Sequence, residues 1–269
     1  MDLVLTPERM KEWGLHKRSD TDVLIYSMGS IDEGHGAALQ RDNDDLVAKR
    51  TAVLAAERLG IQYSAHIPYG SDRAGEIAKD WCPAWIEPGE ATKKVIGFIR
   101  ENIRTWPKKV SHAVIISGHG GNNFLKDEEQ RMSKEVGVPV LYVEPYEGCR
   151  VDDPQYGVIE MEHANSAEHS VAAYMGLLDE KKLAEINRVA AEDPEKALKE
   201  WPPLCGLGGF TEFGGPRYEA LRNPEWGIRK HAKRFLQERE IIADPEVGRR
   251  FFEQNLDNTI GKIAEFIKK

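Results

Sequence analysis

The sequence has few cysteines, no long apolar run and no excess of positive charge. Cys82, Cys149 and Cys205 are odd in number and widely spaced, so they predict neither a disulfide framework nor a CxxC zinc site. A membrane span needs about 18 consecutive apolar residues, and no stretch of the sequence approaches that length. The first residues lack a secretory-signal pattern. The net charge of −8 disfavours general binding to nucleic acid, which needs clustered Lys and Arg. We therefore expect a cytoplasmic protein that binds no membrane and no nucleic acid.

Apolar runs of strand length alternate with segments of helical periodicity along the chain of 269 residues. Strands are predicted at 22–28, 61–67, 113–117 and 139–143, and helices at 44–59, 91–105, 124–136, 166–178 and after Pro245. This alternation predicts an α/β fold, a three-layer α/β/α sandwich with a mainly parallel sheet. We expect one domain over residues 1–269, with a loop at 71–90 and an excursion at about 196–240 that forms a lid or a subunit contact.

Three polar clusters follow predicted strands. They comprise residues 29–36 with 42–45, residues 117–123, and residues 160–170. Binding sites of parallel sheets lie at the carboxyl ends of the strands, so the clusters are expected to converge. In extended backbone Glu33 and His35 point the same way, and imidazole with carboxylate suits Zn, Mn or Fe.

Each cluster taken alone can also be explained without a metal ion. A single histidine is more often a core or loop residue than a ligand. Glu168 fits a helix cap with Asn165, and the turn at 118–123 fits a strand–helix connection or a phosphate-binding loop. Only the combination of the clusters favours a metal site.

The order and spacing of the clusters resemble those of the creatininase family of amidohydrolases. The matching residues are Glu33-Gly34-His35-Gly36, then Asp44, then Gly118–Asn122, then His163-Ala164 with Glu168 and Ser170. Segments 67–71 and 243–249 also resemble the family, so the likeness covers most of the chain apart from about 72–90 and 196–240.

The resemblance implies a creatininase-like fold and two divalent metal ions, either Zn, Mn or Fe. One ion would be held by Glu33, Asp44 and His119, and the other by His35, Asp44 and Glu168, so that Asp44 bridges them. His163 would be the catalytic acid/base. The residues expected to bind substrate are Gly120, Gly121, Asn122, Ser71 and Trp81.

Two departures bear on the substrate. Creatininase has an acidic ligand two residues after the central histidine, whereas this chain has Gly121 there; Glu168 would then supply the carboxylate, and creatinine is disfavoured. An extra residue between Ser30 and Glu33 matches the archaeal formylamino-pyrimidine deformylases of the family, although those lack an excursion like 196–240.

We therefore predict a dinuclear metal-dependent hydrolase in which a metal-activated water attacks a small polar cyclic amide or formamide. One alternative is an enzyme that cleaves a carbon–carbon bond in an inositol-derived cyclic diketone. An alternative of another class is a non-catalytic ligand-binding protein. The partners would be a small-molecule substrate and further copies of the chain, because relatives commonly form hexamers.

Overall fold

The apolar runs form the strands of a central sheet in the computed structural model, which describes residues 21–30, 32–72, 75–80, 82–201 and 237–268. The strands are β1 (Val23–Met28), β2 (Gln62–Ile67), β3 (His112–Ser117) and β4 (Val140–Val143). They lie in the order β2-β1-β3-β4, and every neighbouring pair is parallel. Met28 pairs with Ile67 and with Ser117, so the carboxyl ends of the three strands meet at one edge.

Helices flank the sheet on both faces. Along the described residues they are α1 (Asn43–Leu59), α2 (Pro88–Arg104), α3 (Phe124–Asp127), α4 (Glu129–Val136), α5 (Ser166–Met175), α6 (Glu180–Glu192), α7 (Pro194–Glu200) and α8 (Pro245–Phe266). Short 3₁₀ helices span Gly75–Asp80 and Gly120–Asn123, and an antiparallel hairpin pairs β5 (Arg150–Asp153) with β6 (Gly157–Glu160).

The buried side chains of the sheet divide into two cores. Ile25 and Val114 face one core, which is completed by apolar residues of α1, α5 and α8. Leu24 and Ile115 face the other, which is completed by residues of α2 and α4. All six residues of β1 are buried, as expected of a parallel strand that is covered on both faces. The predicted three-layer α/β/α sandwich with a mainly parallel sheet is confirmed.

Local structure departs from the sequence-based expectation at several points. The predicted loop at 71–90 contains a 3₁₀ helix and the first turn of α2, which begins early because Pro88 occupies the first helical position and the Glu87 side chain caps it. The predicted helix at 124–136 is two helices, interrupted at Glu128, where the backbone has φ −93° and ψ 0°. The β5–β6 hairpin and α6 were not predicted. The hairpin strands have only four residues each, whereas α6 carries buried apolar residues at helical spacing, a signal that the prediction missed.

The helices α6 and α7 form a small third core beside the first polar cluster. Leu183, Ile186 and Trp201 pack with Ala38, and the backbone N–H of Asp179 donates to the Ala38 carbonyl at 2.9 Å. The start of the predicted excursion is therefore helical, while residues 202–236 lie outside the described part of the chain. No helix within the described residues is long and apolar enough to cross a membrane.

The close contact between α8 and α5 depends on a glycine. A Cβ atom at Gly248 would lie 1.9 Å from the carbonyl oxygen of Ser170, so only a residue without a side chain permits this separation of the two helices. The apolar stripe of α8 is largely buried through Val247, Phe251 and Phe252. The stripe thus belongs to the core of its own chain.

Replacing this glycine is expected to destabilise the fold. Gly248→Ala should lower the free energy of unfolding by about 2 kcal/mol, because the methyl group forces the helices apart. Gly261→Ala, on the same helix with open space around it, should raise that free energy by about 1 kcal/mol through helix propensity. Urea denaturation of both variants measures the difference, and equal stability of Gly248→Ala and the unmodified chain would contradict the packing described.

Candidate metal centre

Two glycines at the ends of neighbouring strands let α1 approach the edge of the sheet. A Cβ atom at Gly118 would lie 2.1 Å from the carbonyl oxygen of Asp44, and one at Gly29 would lie 2.5 Å from the amide nitrogen of Asp45. The first turn of α1 therefore rests directly on the ends of β1 and β3. This contact places the Asp44 carboxylate beside His119.

The loop after β1 delivers Glu33 and His35, which are 2% and 1% exposed. The Nδ1 atom of His35 lies 3.2 Å from the carbonyl oxygen of Glu33. A carbonyl only accepts hydrogen bonds, so Nδ1 carries the hydrogen and Nε2 bears the lone pair when the ring is neutral. That Nε2 atom faces Asp44 Oδ1 at 3.2 Å, which is the orientation a metal ligand requires.

Helix capping and the predicted ligand role of Glu168 coexist. The Asn165 side chain accepts hydrogen bonds from the backbone N–H groups of Ala167 and Glu168, and Glu168 Oε2 accepts one from Ala164. The other carboxylate oxygen, Oε1, lies 3.6 Å from His35 Nε2. The cap therefore fixes the Glu168 carboxylate while leaving one oxygen directed at the cluster.

Asp44 lies between the two histidines. Its Oδ1 atom faces His35, while its Oδ2 atom lies 3.1 Å from His119 Nδ1. Glu33 Oε2 lies 2.9 Å from the same nitrogen. The structure thus brings all five predicted ligands together, and Asp44 directs one oxygen to each half of the cluster.

The donor set fits divalent cations. Donor atoms of His35, Asp44 and Glu168 all lie within 4.8 Å of one another. The buried atoms Glu33 Oε2 and His35 Nε2 face other members of the cluster, His119 Nδ1 at 2.9 Å and Asp44 Oδ1 at 3.2 Å, without a well-aligned hydrogen bond. Buried polar atoms are ordinarily paired, and two imidazoles with three carboxylates form a set that suits Zn, Mn or Fe.

The raised pKa values of two histidines show that negative charge dominates in the cluster. Burial lowers the pKa of His35, but the carboxylates of Glu168 and Asp44 outweigh it and raise that pKa to about 10. Burial also opposes the charge of His119, whose pKa Glu33 and Asp44 nevertheless hold well above its usual value. Both imidazoles therefore carry protons at neutral pH when no other cation compensates the carboxylates.

His163 is held differently from the other two histidines. Its Nε2 atom lies 3.0 Å from the carbonyl oxygen of Gly34, so Nε2 donates and Nδ1 bears the lone pair. Nδ1 faces the cluster, 3.5 Å from Glu33 Oε1, and the ring lies 4.5 Å from that of His35. Burial, reinforced by the charge of His35, lowers the pKa of His163 to about 4. His163 is therefore a neutral base at pH 7.

The residues predicted to bind substrate divide into three groups. Gly120 and Gly121 line the cavity above the cluster. The Asn122 side chain donates to the carbonyl of Gly29 at 2.8 Å and accepts from the Ser71 N–H at 3.0 Å, so in this structure Asn122 and Ser71 hold two loops together. Their role in substrate binding stays a prediction. Trp81 lies outside the described residues.

The cavity over the cluster has a volume of about 710 Å³. Its wall includes two residues that the motifs did not single out, Asp72 and Tyr146. Tyr146 has φ 52°, uncommon for a bulky residue, and its N–H donates to Asn255 of α8 at 2.9 Å. Burial, with the negative charges of Glu168 and Asp44, holds the pKa of its hydroxyl well above the usual value.

The parallel sheet and the carboxylate–histidine cluster at its carboxyl edge define the class. The chain is an α/β protein whose binding cavity opens over a group of buried residues that could hold metal ions.

Comparisons with known proteins extend this assignment. The chain is 26% identical over 248 residues, 91% of either chain, to the 2-amino-5-formylamino-6-ribosylaminopyrimidin-4(3H)-one 5'-monophosphate deformylase of Methanothermobacter marburgensis. It is similar in structure to a manganese creatininase, with a TM-score of 0.57, and to a mutant creatininase of Zn-Zn type, with 0.55; each shares 18% identity, with 98% of both chains covered. No protein-family model matches the chain.

The chain therefore has the creatininase fold, and the resemblance to the creatininase family is confirmed. The names of these similar proteins, deformylase and creatininase, support the prediction of an enzyme, a metal-dependent amidohydrolase. These likenesses do not favour the alternative of a non-catalytic ligand-binding protein.

Removing the shared carboxylate is expected to weaken both halves of the site. Asp44→Asn keeps the shape but loses the charge and the second anionic oxygen. It should reduce affinity for Zn²⁺ or Mn²⁺ by more than about 100-fold, since outer partners of ligands alone are worth about 10- to 100-fold. Calorimetric titration of metal-free protein measures this. Asp42→Asn, an exposed neighbour whose side chain makes no capping hydrogen bond, is the control and should bind as the unmodified chain does.

Metal binding is also expected to release protons. Because the pKa values of His35 and His119 are raised in the metal-free cluster, both rings are protonated at neutral pH, and a cation must displace those protons. Affinity should therefore fall as the pH is lowered from about 9 to about 6. Titrations in buffers of different ionisation enthalpy count the protons released, and a release of none would contradict ligation by these two rings.

Proposed function

We propose that the chain is a dinuclear metal-dependent hydrolase of a carbon–nitrogen amide bond, and that a formamide is the preferred substrate. The observation that carries the proposal is the convergence of Glu33, His35, Asp44, His119 and Glu168, with the two oxygens of Asp44 directed at different histidines. Glu33, Asp44 and His119 would hold one ion, and His35, Asp44 and Glu168 the other.

Two adjacent divalent cations lower the pKa of bound water and stabilise the negative charge that develops on a carbonyl oxygen. The protein would set the positions of their ligands, because the Ala164 N–H holds the Glu168 carboxylate and the contact of α1 with the sheet holds Asp44. Burial of the ligands also keeps bulk water away from their charges, which strengthens every electrostatic interaction in the site.

His163 would move the proton. Its neutral state at pH 7 and the lone pair on Nδ1 allow it to accept a proton from the nucleophile. The same atom would then donate that proton to the leaving nitrogen, which departs as a neutral amine. The hydrogen bond to the Gly34 carbonyl keeps the ring in the orientation needed for both steps.

The formamide is favoured by the relatives. The curated relatives that match the chain include deformylases from four methanogenic archaea, and the likeness extends over 91% of the Methanothermobacter marburgensis enzyme. The absence of an acid at Gly121 separates the chain from creatininase proper. A formyl group would also be small enough to approach the cluster past the backbone of Gly120 and Gly121.

The described wall of the cavity combines many carboxylates with nearby cations. Its described wall carries one guanidinium, that of Arg150, which also pairs with Asp152 at 3.3 Å. The carboxylates of that wall are those of Glu33, Asp44, Asp72, Glu144, Glu147, Glu160, Glu162 and Glu168. Glu144 and Glu147 pair with Lys126 and Lys262, and Glu33, Asp44 and Glu168 are the proposed ligands, so positive charge balances much of this wall.

Release of formate from metal-loaded protein tests the proposal. Aryl and heterocyclic formamides, in matched forms with and without a phosphate, are compared with cyclic amides and with inositol-derived diketones. We expect turnover of formamides, and the matched pairs measure the preference for or against a phosphate. Ring opening of a diketone without any amide turnover would instead establish the carbon–carbon alternative.

His163→Asn separates catalysis from metal binding in the same assay. Asn lacks a basic nitrogen, so kcat should fall by about 10²- to 10⁴-fold. Metal stoichiometry should remain unchanged, because His163 is not one of the proposed ligands. An unchanged kcat in a variant that retains its metals would rule out the proton-transfer role.

A further inference from the structure

Asp72 is a buried carboxylate beside the metal centre to which the sequence motifs assign no role. It lies on the loop after β2, and its residue is 8% exposed. The loop is anchored there, because the Asp72 carbonyl accepts hydrogen bonds from Trp85 Nε1 at 3.1 Å and from the Gly75 N–H at 3.0 Å. These hydrogen bonds fix the backbone at Asp72, and the carboxylate can still turn about its side-chain torsions.

The carboxylate of Asp72 faces the outer nitrogen of His119. His119 Nδ1 points to Glu33 and Asp44, while Nε2 points away from them and lies 3.8 Å from Asp72 Oδ2. That Nε2 atom is buried and has no hydrogen-bond partner among the described residues. Nε2 and Oδ2 are about 0.7 Å too far apart for a hydrogen bond. A rotation about the terminal torsion of the carboxylate, which turns easily, can close this gap.

Gly121 makes room for this pair. A Cβ atom at Gly121 would lie 2.2 Å from His119 Nε2 and 2.8 Å from Asp72 Cγ. Any side chain at position 121 would therefore displace the His119 ring, the Asp72 carboxylate or both. Gly121, at the position where creatininase has an acidic residue, therefore leaves free the space beside Asp72.

We propose that Asp72 is the positioning residue of His119: it accepts a hydrogen bond from Nε2–H, so that the ring presents Nδ1 to the cation shared with Glu33 and Asp44. A ligand histidine commonly donates its other N–H to a carboxylate, which fixes the tautomer and raises the basicity of the ligating nitrogen. The inference rests on the proposed metal site and assigns it an outer partner from a different loop.

The tautomer of His119 is the direct test. Long-range ¹H–¹⁵N spectra of the zinc-loaded protein should show Nδ1 as the ligating atom and Nε2 as protonated, with slow exchange of that proton. Asp72→Ala should make the exchange fast. Asp72→Asn, whose side-chain oxygen still accepts, should retain the slow exchange.

Zinc titration of the same variants measures the consequence. Asp72→Ala should lower the affinity of one site by about 10- to 100-fold, and Asp72→Asn should recover most of that loss. Asp152→Ala, at an exposed carboxylate on β5, is the control and should bind as the unmodified chain does. If Asp72→Ala does not fold, Asp72→Asn and the spectrum of the unmodified protein still decide the tautomer.

Three results would overturn the inference. They are ligation of His119 through Nε2, unchanged zinc affinity in Asp72→Ala, and complete loss of one equivalent of zinc from both Asp72 variants, which would make Asp72 a direct ligand. Failure of the unmodified chain to bind zinc, manganese or iron is a different result, because it removes the proposed function itself.

Discussion

The structure depends on positive charge that compensates the buried carboxylates of the site. Asp44 and Glu168 have carboxylate oxygens within 4.8 Å of each other, and Asp44 and Glu33 both face His119 Nδ1, largely out of water, where like charges repel most strongly. The raised pKa values of His35 and His119 show one solution, since protons on the two rings supply positive charge. Divalent cations are the stronger solution, because they carry more charge and draw on the same donor atoms.

The fold provides this arrangement through close backbone approaches. The start of α1 reaches the sheet only because Gly29 and Gly118 follow their strands, and that contact delivers Asp44 with the positive end of the helix dipole behind it. A second helix start delivers Glu168 from the opposite side, where Asn165 caps α5. Strand ends supply the imidazoles, and helix starts supply two of the carboxylates.

The sequence predicts the layers from local patterns, whereas the ligand set follows from the resemblance of its motifs to the creatininase family. Strand β3 is a continuous apolar run, and the Glu-x-His and Gly-His-Gly-Gly-Asn spacings lie beside predicted strand ends. Asp72 and Tyr146 escape prediction for the opposite reason. Each lies in an irregular segment, and its proximity to the cluster arises from tertiary packing, through the Trp85 contact for one and the Asn255 contact for the other.

Gly121 stands where creatininase has an acidic ligand, so this chain must supply that ligand from another position. Without an acid at that position, the His35 half of the cluster draws its carboxylate from Glu168 on another element. The space that a side chain at 121 would occupy is taken by the His119 ring and the Asp72 carboxylate. A side chain at 121 would clash with the His119 ring and the Asp72 carboxylate, so the glycine and the loop aspartate are linked sterically.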